Sequence, residues 1–257
     1  MKRYASIAAL LCAGLLSSCG KDAIQQLVNA PLAASRVRFF NFGVNAPGVN
    51  FYANATKMTA ITSGTGTEAT TGIAYGGVGA GGAYSAIDPG QYTLTGRIAA
   101  ATDKDLPIST VTTTIADGKY YSYYMSGVYN STAKTVDGFV VEDPVVAPTD
   151  FKLATVRFVH AISNANPMTL YAADTVAKTE VAVGAEAAYK TAGAFTTVPA
   201  GVYQLSTRYT GSPTKAIVKS DVSFLGGRVY TVTARGDITV TSSTATNRPF
   251  LDVTANR

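Results

Sequence analysis

The stretch from Val37 to Ala53 occurs twice, and the repetition constrains the fold more than any other feature. VRFFNFGVNAPGVNFYA begins at Val37 and VRFVHAISNANPMTLYA at Val156, a constant offset of 119. Val37 answers Val156, Arg38 answers Arg157, Phe39 answers Phe158, Asn45 answers Asn164 and Tyr52 answers Tyr171. Further on, Gly90-Gln91-Tyr92 answers Gly201-Val202-Tyr203, and Gly118-Lys119-Tyr120-Tyr121 answers Gly227-Arg228-Val229-Tyr230. Self-similarity at a fixed offset means one structural unit used twice. The chain of 257 residues therefore divides into two modules, expected at 35–147 and 152–257.

Each copy reads as short strands rich in β-branched and aromatic residues, separated by Gly, Asn and Pro turns. The spacing predicts strands over 36–42, 49–52, 91–99, 109–115 and 119–125, and over 154–161, 168–171, 202–209, 216–224 and 228–234. The turns Ala116-Asp117-Gly118 and Leu225-Gly226-Gly227 carry hairpin chemistry, with Gly available for positive φ. No segment after residue 35 sustains a helical period. The expected fold is all-β: two tandem antiparallel β-sandwich modules, Ig/transthyretin-like. The Gly-x-Tyr after a turn suits a tyrosine corner, whose hydroxyl bonds back to nearby backbone. Pro144 and Pro148 make the connector between modules short and stiff.

Before the first copy, Lys2 and Arg3 precede an apolar run from Ala5 to Leu16. A helix of that length reaches about 18 Å, against about 30 Å of hydrocarbon in a bilayer, so it reads as a secretory signal over residues 1–18 and not as a span. Leu16-Ser17-Ser18-Cys19-Gly20 resembles a bacterial lipobox. The resemblance implies cleavage before Cys19 and attachment of lipid to that residue; a plain signal peptide that happens to hold a cysteine is the alternative. Residues 19–34 then form the lipidated cysteine and a tether. Gly20-Lys21 differs from the Asp that resembles an inner-membrane retention signal, so the expected place is the cell envelope, lipid-anchored in the outer membrane.

Composition removes several function classes. Both cysteines, Cys12 and Cys19, precede the modules, so a disulfide, a zinc site or a cysteine nucleophile inside them is excluded. Without Lys2 and Arg3 the formal charge of +5 falls to +3, spread without a basic run, which argues against nucleic acid. Gly77-Val78-Gly79-Ala80-Gly81-Gly82 matches G-x-G-x-x-G, but the Asp88-Pro89-Gly90 turn leaves no room for the helix that would hold a phosphate. It reads as part of an eight-residue flexible insertion, since Tyr52 to Tyr92 is longer by that much than Tyr171 to Tyr203. His160, the single histidine, has Asn41 as its counterpart and reads as a structural hydrogen-bonding group. Asp103 and Asp105 lack the rest of a calcium loop. No nucleophile, base and orienting group converge, so no catalytic, cofactor or metal residue is assigned and no enzyme activity is expected.

The strand face Tyr121/Tyr123/Met125 matches Tyr230/Val232/Ala234 and reads as core in both copies. The opposite face is Tyr120/Ser122/Tyr124 against Val229/Thr231/Thr233, so the first copy adds two tyrosines. Tyr120 and Tyr124 are the candidate ligand-binding residues, expected to share a strand face and expose ring surface to a protein or a glycan; packing against the other module or the glycine-rich loop is the alternative.

Taken together, the VRF strand, the N-A-P turn, the P-A-G-x-Tyr turn and the G-x-x-Tyr-T-V strand resemble domain-of-unknown-function family 4397. The resemblance covers nearly all of 35–254 and implies secreted or lipid-anchored bacterial proteins; no established activity comes with it. The first copy departs at Asn41 and at Tyr121-Ser122-Tyr123-Tyr124. The expected function is a non-catalytic envelope lipoprotein with surface binding, adhesion or an envelope-structural role. A glycan-binding module of a polysaccharide-handling system is the alternative.

Overall fold

The computed structural model describes residues 35–256, so the expected signal segment, Cys19 and the expected tether lie outside the described residues. Among the described residues no helix is long and apolar enough to cross a membrane. The first module contains β1 (Arg36–Val44), β2 (Val49–Ala53), β3 (Thr56–Lys57), β4 (Gly77–Val78), β5 (Ser85–Ala86), β6 (Gly90–Ile98), β7 (Pro107–Ile115), β8 (Tyr120–Asn130) and β9 (Thr135–Glu142). One of its sheets runs β4-β1-β8-β9, with β5 also against β1, and the other β3-β2-β6-β7. The second module contains β10 (Leu153–His160), β11 (Met168–Asp174), β12 (Glu180–Ala187), β13 (Thr191–Ala192), β14 (Thr196–Pro199), β15 (Gly201–Tyr209), β16 (Ile217–Phe224), β17 (Val229–Arg235) and β18 (Phe250–Ala255). Its sheets repeat the plan: β13-β10-β17-β18 with β14 against β10, and β12-β11-β15-β16.

Two sandwiches in tandem are the expected architecture, with one departure. β1 lies parallel to β8, and β10 parallel to β17, so neither module is wholly antiparallel. Between β1 and β8 the chain supplies β2, β3, β6 and β7 to the other sheet and lays β4 and β5 against β1, and a connection that long lets two neighbours run the same way. Between the sheets of the first module, Phe39 stacks on Phe51 at 5.2 Å while Tyr123 meets both rings edge-on. In the second module Phe158, Leu170, Leu205, Phe224 and Val232 fill the equivalent space. Gly118 (φ 69°) and Gly227 (φ 71°) adopt the positive φ that their turns need, but these turns carry the chain from one sheet to the other, β7 to β8 and β16 to β17, and do not close the expected hairpins. The tyrosine corner forms in the second module, where Tyr203 donates its hydroxyl to the Pro199 carbonyl at 2.7 Å.

Loop anchoring explains His160. Its Nδ1 accepts the Ile162 backbone N–H at 3.2 Å, which leaves Nε2 as the donor to the Asn166 carbonyl at 3.1 Å. Asn41 does the same work in the first module: Oδ1 accepts from Gly43 N at 3.2 Å, and Nδ2 donates to the Ile73 carbonyl at 2.7 Å. The two side chains are chemically different answers to one backbone problem. The glycine-rich stretch is a short 3-10 turn, Gly79–Gly82, leading into β5. Gly79 is buried where a Cβ would come within 2.8 Å of Thr59, so the insertion is packed at its entry and does not hang free.

Burial lowers the His160 pKa from the ordinary 6.5, because the folded chain holds the neutral ring. Its contribution to stability is therefore complete above pH 6.5 and is lost as pH falls below that value, where the unfolded chain takes up the proton first. His160→Asn, which copies Asn41, is expected to abolish this slope. Urea midpoints measured at about pH 7.5 and about pH 5 should converge on the acid side relative to wild type. Parallel midpoints in both proteins would contradict the assignment.

Candidate functional site

A strand buried on both faces reads as a continuous apolar run, not as an alternation. Phe39, Phe40 and Phe42 on β1, with Tyr123 and Tyr124 on β8, make such runs. Val37, Phe39, Tyr121, Tyr123 and Met125 face the first module's own core. Phe40, Phe42, Tyr124, Phe139 and Val141 instead form a separate cluster with Val159 and Ala161 of the second module. The two modules are thus packed sheet against sheet, β4-β1-β8-β9 on β13-β10-β17-β18.

That arrangement corrects the expectation for the tyrosine pair. Tyr124 is wholly buried, stacked on Phe40 at 4.6 Å and on Phe139 at 5.1 Å. Tyr120 does share its strand face, but it is half-buried with its ring edge-on to Tyr84 at 5.1 Å. The alternation was read correctly. What fills the second face is the neighbouring module, so Tyr124 offers no surface to a ligand.

At the centre of the junction lies a polar cluster built from repeat-equivalent residues. Arg38 and Arg157, the two arginines of the VRF strands, are both buried. Each sends Nε to a hydroxyl on the neighbouring parallel strand: Arg38 to Ser122 and Arg157 to Thr231, both at 3.0 Å. Each then reaches across to the last strand of the other module. Arg157 donates to the Glu142 carbonyl at 2.8 Å and is ion-paired with Asp143. Arg38 donates to Asn256 Oδ1 at 2.7 Å. Asp143 and Asn256 are themselves counterparts, since each follows the last strand and gives its backbone N–H to the first residue of the central strand, Tyr120 or Val229. The contact is therefore reciprocal, as across a two-fold homodimer interface, but within one chain.

The symmetry breaks at one charge. Asp143 is the carboxylate, and it serves both guanidiniums: paired with Arg157 and 3.8 Å from Arg38. Its Oδ2 also accepts from Ser122 at 2.5 Å and from the Tyr84 hydroxyl at 2.7 Å. Burial, followed by the adjacent Asp143 carboxylate, pushes the Tyr84 phenol well above its ordinary range, so it stays protonated and donates. Arg38 stacks over Tyr84 at 4.5 Å, and Arg157 over Phe195 at 4.9 Å, again one aromatic from each module. A further exchange closes the rim. Tyr189 of the second module reaches Ser126 at 3.0 Å and Asp137 at 3.2 Å in the first, while Tyr75 of the first lies against Arg235 of the second at 5.0 Å.

Beside Arg157 the junction opens into a cleft of about 570 Å³, lined chiefly by Val141, Pro144, Val146, Ala192, Ala194 and Phe195. Lys190 and Glu142 stand at its edge. The volume is of ligand-pocket size. Its chemistry is that of an apolar slot, since Arg157 already donates to Thr231, Glu142 and Asp143. Among the described residues no cluster of three His, Cys, Asp or Glu side chains could hold a metal.

The family model described as "Domain of unknown function (DUF4397)" matches this chain twice, over residues 35–153 and 154–256. The chain belongs to the DUF4397 family. Its two DUF4397 copies are the two sandwiches, and the sheet-to-sheet junction is a contact between them. No curated protein matches. A solved structure, "The Bacillus anthracis TIE protein", aligns at 13% identity over 78% of this chain and 33% of its own, with a TM-score of 0.23. This chain thus spans about a third of that protein's length, and the two superpose too loosely for the likeness to bear on function.

Arg38, Arg157, Asp143 and Asn256 were not singled out from the sequence as a site. The signal was present in the repeat, which sets an arginine at the same place inside two apolar strands. A charge there needs a buried partner. Removing that partner leaves two guanidiniums uncompensated, so Asp143→Leu should cost about 3–5 kcal/mol in chemical denaturation. Asp143→Asn, which copies Asn256, removes the same charge and keeps one acceptor oxygen in place of two, so it should lose most of the same stability. A loss near zero for Asp143→Asn would contradict the charge-sharing role.

Proposed function

We propose that this DUF4397 chain is a lipid-anchored protein of the bacterial cell envelope, held by lipid on Cys19, whose paired modules act as one non-catalytic body that binds another protein. The observation that carries the reading is the reciprocal, buried junction. It fixes the two sandwiches in one orientation and leaves an apolar cleft of about 570 Å³ at their seam, with Phe195 in its wall. Binding sites favour such seams, where a few aromatic and aliphatic side chains form a preformed slot. The leader supports the envelope placement through the Leu16–Cys19 pattern. The non-catalytic reading is supported by the partners the buried charges already hold: Arg157 donates to Thr231, Glu142 and Asp143, and Asp143 accepts from Arg157, Ser122 and Tyr84. A glycan ligand depended on two exposed tyrosine rings, and with Tyr124 buried nothing specific favours it.

One strain tests both halves. With a photo-activated cross-linking residue in place of Phe195, cells fed labelled palmitate should yield a labelled, membrane-bound chain that forms a discrete protein adduct on illumination. Cys19→Ala in that background should lose the label and leave the membrane fraction. Retention in the membrane without Cys19 would refute the anchor, and absence of any adduct at Phe195 would refute the cleft as the binding site.

A further inference from the structure

Exposed apolar side chains scattered singly carry no message, but a group of them at one end of a body does. The two most exposed large apolar residues among those described are Val176, at 86%, and Phe151, at 79%; Leu225, and Val145 in the connector, follow at 56%. They belong to loops that meet. Gly227 N donates to the Leu153 carbonyl at 2.8 Å, and Ala200 N to the Lys152 carbonyl at 2.9 Å. Thr175 N donates to the Val202 carbonyl at 2.9 Å, and Gly201 pairs with Phe224 in the strand ladder. Phe151 lies over Gly227, whose missing side chain leaves room for the ring. The first module carries nothing of this kind at the matching turn, where Ala116 answers Leu225.

This end is also where the tether arrives. Along β1, Arg38 meets Asn256 beside the start of β17, and Phe42 lies against Arg235 at its finish. Likewise Arg157 meets Asp143 beside the start of β8, and Ala161 accepts from Ser126 further along it. β1, β8, β10 and β17 therefore run in one direction across the junction. Their starting ends lie together: Ser35, the Ala116-Asp117-Gly118 turn, Phe151 and the Leu225-Gly226-Gly227 turn. Residues 19–34 join the body at Ser35, and fully extended they reach at most about 55 Å.

We propose that this end rests on the phospholipid surface that holds the anchor, with Phe151, Val176 and Leu225 dipping into the boundary between headgroups and acyl chains. The proposal rests on the Cys19 anchor reading. A tether of this length holds the end near the bilayer at an effective concentration of about millimolar, so a weak patch suffices. The surrounding charges suit a zwitterionic headgroup layer. Lys152, Lys178 and Arg228 are set against Asp150 and Asp174, whose carboxylates are turned to backbone N–H groups of Lys152, Val176 and Ala177. Apolar insertion, not charge, is then the source of attachment, and salt should change it little.

The test uses the lipidated chain in phosphatidylethanolamine-rich vesicles. Cys19 carries the lipid and Cys12 is removed with the leader, so Phe151→Cys adds the one free thiol for an environment-sensitive fluorophore. Thr132→Cys, on the β8–β9 turn at the other end, is the control. Spin-labelled headgroups should quench the probe at 151 about threefold more than the probe at 132, with little change in high salt. Equal quenching at both sites, or dimers joined through residue 151 in place of quenching, would overturn the membrane contact while leaving the anchor intact. A chain whose mass shows no lipid would overturn the anchor, and this proposal with it.

Discussion

One buried carboxylate, Asp143, sets how the two modules meet, because a buried guanidinium from each of them converges on it. A guanidinium buried in an apolar junction needs acceptors, and the hydroxyls of Ser122 and Thr231 give each arginine only one. Asp143 just after β9 serves Arg157 across the junction and Arg38 within its own module, while Asn256 just after β18 serves Arg38 across it. Burying such a network adds little net stability, since desolvation offsets much of the attraction. What it adds is register, because each guanidinium finds acceptors at the end of the other module's last strand. The stabilisation itself comes from the rings around it, Phe40, Tyr124 and Phe139 stacked between the sheets and Val159 and Ala161 opposite.

The repeat made most of this legible in the sequence and hid the rest. Ten expected strands appear close to their predicted places because β-branched runs and glycine turns are local signals. β9 and β18 were not anticipated, although Val136 and Val141 or Leu251 fill buried positions in them. Their other positions carry polar groups with long-range partners, Asp252 paired with Arg235 on β17 and the Glu142 carbonyl held by Arg157 of the other module, so local pattern alone is weak there. The same reason explains Tyr124. Its side of β8 was identified correctly from the period of two, but a sequence read one module at a time has no way to supply the second module that covers it.

His160 and Asn41 show where the reading of a single position succeeds. An imidazole and an amide occupying equivalent places can share only what both can do, which is to accept one backbone N–H and donate to one carbonyl. Difference between copies is informative in the opposite direction. Where Asp143 is answered by Asn256 and Tyr84 by Phe195, the junction has shed symmetry: one side is closed by a hydroxyl on the carboxylate, while the other is left as the apolar cleft.

The central claim is that the junction makes two DUF4397 modules into one cooperative body. Differential scanning calorimetry of residues 35–257 at neutral pH tests it most directly. The account predicts a single transition whose calorimetric and van't Hoff enthalpies agree, with a total enthalpy of about 150 kcal/mol for a body of this size. Two separable transitions of about half that enthalpy each would contradict it, because the modules would then be unfolding as independent neighbours.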